Sequence, residues 1–193
     1  RAILGFSLAV ARKRREALFH LNASLEEARE GRNAYSLFIA RAGLAIQCFH
    51  DGDLQKAFEL LRSAVVEGHK ATSALLMLHV YLLDVLASLH DHGLEPITEG
   101  WEYEEQLELF FKEPSLPRRG IALRLRAEDK LRSGESAARV MEDLTVSQDY
   151  LQRAGAIFPL NDTLIAMARL KLREGDREGA RALAQKAWLQ IQG

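Results

Sequence analysis

Along this chain, apolar residues recur every third or fourth position, in stretches separated by short polar interruptions centred on glycine. Four of those glycines, Gly52, Gly93, Gly134 and Gly175, stand 41 residues apart, in HDGDLQKA, HDHGLEPI, RSGESAAR and REGDREGA. A common face precedes each of them. Eleven residues before stand Arg41, Leu82, Leu123 and Leu164; seven before, Ala45, Leu86, Ala127 and Ala168; three before, Phe49, His90, Leu131 and Leu172. Steps of three and four keep these positions on one side of a helix. The mostly small residue seven before each glycine suits a close helix crossing. An internal period of this length predicts helix-turn-helix units stacked one on the next.

The pattern predicts alternating A and B helices. Residues 1–11 read as the end of a first A helix, with a B helix over 13–30 closed by Gly31. The next pair covers 33–50 and 53–69. The third A helix, 72–90, is apolar nearly all round, as expected for a helix buried in mid-stack. Pro96 and Gly100 delay its B helix to about Glu99–Lys112, and Pro114 and Pro117 then break the chain. The fourth pair spans 116–132 and 135–154, and the last Leu160–Glu174 and Asp176–Ile191. Asp53 and Asp176, each directly after a turn glycine, are expected to accept backbone N–H groups at the start of a B helix. No low-complexity linker divides residues 1–193, which read as one unit.

Composition narrows the classes. Apolar residues make up 48% and charged residues 27%, which argues against disorder. A net charge of −1 provides no global field for nucleic acid or anionic membranes. The single cysteine, Cys48, excludes an internal disulfide, suits a reducing compartment and reads as a small residue on an apolar helix. No stretch approaches the ~20 apolar residues of a membrane span. The opening AILGFSLAVARKRRE has its basic run after the apolar one, the reverse of a secretory signal. A cytoplasmic location is expected. The start at Arg1 reads as a fragment of a larger protein, with effector domains outside it.

Two units resemble the tetratricopeptide repeat. AIQCFHDGDLQKAFELLRSAV carries Ala45, Gly52, Asp53, Ala57 and Ala64; AMARLKLREGDREGARALAQKAW carries Ala168, Gly175, Asp176, Ala180 and Ala187. The two middle units keep the glycine but replace the alanines with Thr98 and Glu105, and with Arg139 and Val146. The resemblance implies an all-α, right-handed superhelix of nine or ten helices in antiparallel pairs, with a period of about 41 residues, longer than the usual ~34. Residues 75–192 also look like the helical sensory region of sigma-54-type transcriptional activators, through LLDVLASLHDHG, GWEYEEQLE, RRGIALRLRA and the tail from DYLQRAGAIF onward. In that family an ATPase and a DNA-binding module follow; this chain contains no Walker A motif.

Candidate chemistry is sparse. His90, Asp91 and His92, with His79 further back, are the one cluster of metal-ligand types, but alternate residues at a helix end do not converge on an ion. No metal or cofactor is expected; the imidazoles suit the last carbonyls of a helix instead. Arg12–Arg15, followed by Glu16, Glu26, Glu27 and Glu30, read as a solvated face rather than a nucleic-acid patch. Trp101 and Tyr103, among Glu99, Glu102, Glu104 and Glu105, offer either a binding platform or packing against a neighbouring repeat. If A helices line a concave surface, His90, Arg124, Glu128 and Arg169 point into it. There the two arginines could hold a carboxylate or an acidic peptide through forked hydrogen bonds, or they could form salt bridges between repeats. Paired glutamates without a nucleophile or oxyanion donor make no active site.

The function expected is therefore non-catalytic: a protein- or ligand-binding sensory module of a bacterial transcriptional activator. It would take a protein, a peptide or a small-molecule effector, without contacting nucleic acid itself. The alternative is an interaction scaffold with no signalling role.

Overall fold

The computed structural model describes residues 1–68 and 79–192, and it is all-helical there. The helices are α1 (Ala2–Val10), α2 (Arg14–Glu30), α3 (Ala34–His50), α4 (Leu54–Gly68), α5 (His79–Asp91), α6 (Tyr103–Lys112), α7 (Leu116–Arg132), α8 (Ala137–Arg153), α9 (Ile157–Arg173) and α10 (Arg177–Gln192). Residues 72–78 of the helix predicted over 72–90 lie outside the described residues; α5 is its C-terminal part. No helix among the described residues is long and apolar enough to cross a membrane.

One turn is used repeatedly. The chain leaves seven of the described helices through a residue in the left-handed conformation: Arg12, Arg32, Gly52, Gly93, Gly134, Gly155 and Gly175. At Gly52 the N–H donates to the Phe49 carbonyl at 3.0 Å, and the next N–H, of Asp53, donates back to the Cys48 carbonyl at 2.9 Å. The other six turns carry the same pair of bonds. This arrangement satisfies the last carbonyls of a helix and reverses the chain within a few residues. Glycine suits it because the conformation brings a Cβ too close to the following carbonyl. All four evenly spaced glycines hold it, whereas Gly31, expected to close α2, remains right-handed at φ −79° and Arg32 makes the turn instead.

Contacts divide the chain into two compact units, Arg1–Gln106 and Leu107–Gly193. In the first, α2 packs between α1 and α3, α1 also touches α3, and α5 packs on α3 and α4. In the second, α8 packs between α7 and α9, α7 touches α9, and α10 pairs with α9.

The second helix of each pair buries a recurrent stripe. In α2 it is Ala17, Leu21, Ser24 and Ala28; in α8, Val140, Leu144, Ser147 and Leu151. The fourth, eighth and eleventh positions of α4, Ala57, Leu61 and Ala64, are likewise buried, as are the fourth and eleventh of α10, Ala180 and Ala187. Each fully buried leucine contributes about 1.5–3 kcal/mol. Glycines let these stripes approach closely. A Cβ on Gly43 would lie 2.7 Å from Leu21 Cδ2, and one on Gly5 2.8 Å from Leu21 Cγ, so Leu21 is wedged between α1 and α3.

Three helix boundaries differ from the sequence expectation. The turn before α8 holds one residue more than the others, so Val140 and Ser147 take the buried places that a fixed spacing gives to Arg139 and Val146, both of which are exposed. Helix α9 begins at Ile157 rather than Leu160 because Pro159 falls in its first turn, where the missing N–H has no helical partner to lose. Helix α6 begins at Tyr103 rather than Glu99, for a reason that lies in the segment before it.

Candidate functional site

Between Gly93 and α6 the short turn is replaced by residues 94–102, and Glu95 organises them. Its Oε1 accepts the Tyr103 backbone N–H at 2.6 Å, capping α6, and its Oε2 accepts from His90 Nδ1 at 2.5 Å at the end of α5. Gly100 takes a positive φ of 79° there, and Gln106 Nε2 donates to its carbonyl at 2.7 Å. This turn and the Glu95 cap fix the start of α6. The bond to Glu95 raises the His90 pKa above its ordinary 6.5 and outweighs the opposing effect of partial burial. The His90 ring also lies 5.2 Å from that of Tyr103.

Trp101 and Tyr103 do not form a platform. They are 6% and 1% exposed, and Ile97 nearby in sequence is buried as well. Their indole and phenol surfaces are spent on packing, the alternative that the sequence left open. His92 turns away from His90 and donates from Nδ1 to the Ser88 carbonyl at 2.7 Å, the helix-end role expected of it. No group of three or more His, Cys, Asp or Glu among the described residues is arranged to hold a metal ion; the side chain of His79 lies outside them. Nearby, Glu102 and Glu105 share a hydrogen bond that lowers the pKa of Glu102 and raises that of Glu105.

In the second unit Arg124 is 3% exposed, and its Nη1 lies 3.5 Å from Glu128 Oε1, one turn on. Arg169 is exposed. The two arginines are therefore not equivalent, and they do not form the open pair expected for a carboxylate clamp. Burial of the Arg124 side chain beside its own glutamate is the cause. Other cations are also engaged: Arg118 bonds to Glu113 and lies over the Phe110 ring, and Arg126 lies 4.0 Å from the centre of the Phe111 ring. Of the residues singled out from the sequence, Arg124 and Glu128 are brought together. His90 and Trp101 belong to the first unit and are described there.

At the basic run, Arg14 pairs with Asp51 at 3.0 Å and Arg12 forms a turn, which is the solvated reading. Cys48 is half-buried, and burial raises its pKa, so its thiol is not activated.

Two polar features escaped the sequence. Ser147 Oγ donates to the Gly120 carbonyl at 2.7 Å and lies 3.2 Å from Thr163 Oγ1, joining α7, α8 and α9. Asn161, 3% exposed in α9, has neither amide atom hydrogen-bonded. The sequence spacing put Val146 rather than Ser147 on the buried face, and nothing in the sequence marked the second. No protein-family model, curated protein or solved structure matches the chain.

Proposed function

We propose that the chain is a tetratricopeptide-like binding module whose antiparallel pairs wind into a right-handed superhelix with a period of about 41 residues. It catalyses no reaction. It works in the cytoplasm as the sensory segment of a sigma-54-type transcriptional activator, taking a protein, a peptide or a small-molecule effector. The observation that carries the repeat reading is the recurrence of one turn and one buried stripe in successive helix pairs. The regulatory part rests on the resemblance of residues 75–192 and is an analogy of pattern.

The test is thermal unfolding of the chain against libraries of metabolites and peptides. A ligand of the native state raises the midpoint with the logarithm of its concentration, and such a ligand supports sensing. Silence across both libraries, from a protein whose circular dichroism is helical, removes sensing and leaves the scaffold. The burial of Trp101 and the engagement of Arg124 by Glu128 are the observations that favour that second reading.

A further inference from the structure

After Gly93 the chain takes residues 94–102 to reach α6, and one carboxylate fastens that segment at both ends. Glu95 Oε2 lies 2.5 Å from His90 Nδ1 on α5, and Oε1 accepts the first N–H of α6, that of Tyr103, at 2.6 Å. Within the segment the Trp101 N–H donates to the Thr98 carbonyl at 3.0 Å. Ile97 and Trp101 are buried while these bonds hold. Whatever strengthens or weakens the grip of His90 on Glu95 therefore acts on the start of α6 through the same carboxylate.

The charge of His90 sets that grip. Its side chain is 42% exposed, so it can exchange protons with solvent without unfolding. The charged groups facing it are Glu95 of the segment, Glu104 of α6 and Asp91 of its own helix, and each favours the imidazolium. From Asp91 to Glu108 the sequence holds no lysine or arginine to take its place. The imidazolium makes a charge-assisted bond to Glu95, about twice as strong as a neutral one. A neutral ring keeps at most the weaker bond and no longer offsets the carboxylates around it. Because the pKa is raised, the stronger bond is complete below 6.5 and is lost as pH rises through the folded value.

We propose that His90 and Glu95 form a proton-operated latch: the imidazolium keeps residues 94–102 closed with Ile97 and Trp101 buried, and loss of its proton lets that segment open while the helices remain folded. The opening is local because the segment lies between helices, so no helical ladder has to break. It turns a change of pH into a change of exposed apolar surface. The latch is independent of the sensory reading and operates equally in a scaffold.

Amide exchange of Tyr103 reads the bond to Glu95 directly. It is followed by NMR in the whole chain from about pH 6 to about pH 9, corrected for the intrinsic rate, beside the titration of His90. Protection is expected to fall about fivefold through that titration, the difference between a charge-assisted and a neutral bond. The second readout is acrylamide quenching of Trp101 in Trp188→Phe, which removes the other tryptophan, an exposed one. Quenching should rise over the same range while helical circular dichroism stays constant. His90→Lys should keep the segment closed throughout, and His90→Asn should leave it open throughout. Protection and quenching that do not change through the His90 titration overturn the proposal. So does a change that persists in His90→Asn, or one that runs in parallel with loss of helical circular dichroism, which is global unfolding. If a variant fails to fold, the exchange profile of the unsubstituted chain decides alone.

Discussion

Arg12 and Arg32 adopt φ values of 57° and 49° at turn positions where glycine stands in the later helices. A side chain there brings its Cβ toward the following carbonyl, a local strain that the surrounding hydrogen bonds hold in place. Arg32→Gly should therefore stabilise the protein by about 0.5–1 kcal/mol, the relief of strain exceeding the added freedom of the unfolded chain. Gly175→Ala should destabilise it by a similar amount. No atom lies within 4 Å of the added Cβ, so its effect is purely conformational. Urea unfolding should show shifted midpoints with unchanged slopes. The His90–Glu95 bond makes a second prediction. A histidine whose folded pKa is raised contributes stability that is complete below its unfolded value of 6.5 and is lost as pH rises through the folded value. In Glu95→Gln, NMR titration should find the His90 pKa lower, and the pH dependence of stability in that window should flatten. Asp53 and Asp176 were legible as caps, and they do accept from the N–H groups of Lys56 at 3.2 Å and Gly179 at 2.9 Å. The role of Glu95 was not legible, because its partners lie on two helices and no local pattern joins them.

At the scale of elements, Leu21 is held against glycines on both flanking helices, Gly5 of α1 and Gly43 of α3. Leu21→Ala should cost about 2–5 kcal/mol through lost burial and the cavity left behind. Gly43→Ala should cost about 1–3 kcal/mol by overpacking. The double substitution should cost less than the sum, since the methyl at 43 enters space vacated at 21, and a double-mutant cycle from denaturant unfolding measures that coupling. Helix existence was readable from periodicity, and most boundaries followed from the glycines. What failed was strict spacing. One added turn residue before α8 moves Ser147, rather than Val146, into the core, where it bonds to Gly120 and lies against Thr163. The start of α6 was hidden for a related reason: a cap reached from Glu95 overrides the helix propensity of Glu99–Glu102.

For the molecule as a whole, the all-helical class was plain in the sequence, because apolar residues at helical steps need no knowledge of tertiary partners. The burial of two side chains picked for a binding surface, Trp101 and Arg124, was not. Burial decides whether an arginine or a tryptophan is a ligand group or a structural one, and helical periodicity alone did not show which of these side chains would be buried. The principal packings join helices that are adjacent or next but one along the chain. Contacts of such short sequence separation close small loops, so little chain entropy is lost before each is rewarded, and folding is correspondingly fast. During synthesis α1 and α2 can close on each other as soon as Glu30 has emerged, and α3 then covers the wedge of Leu21. The order of the residues along the chain is thus also an order in time, with each new helix arriving onto a surface already made.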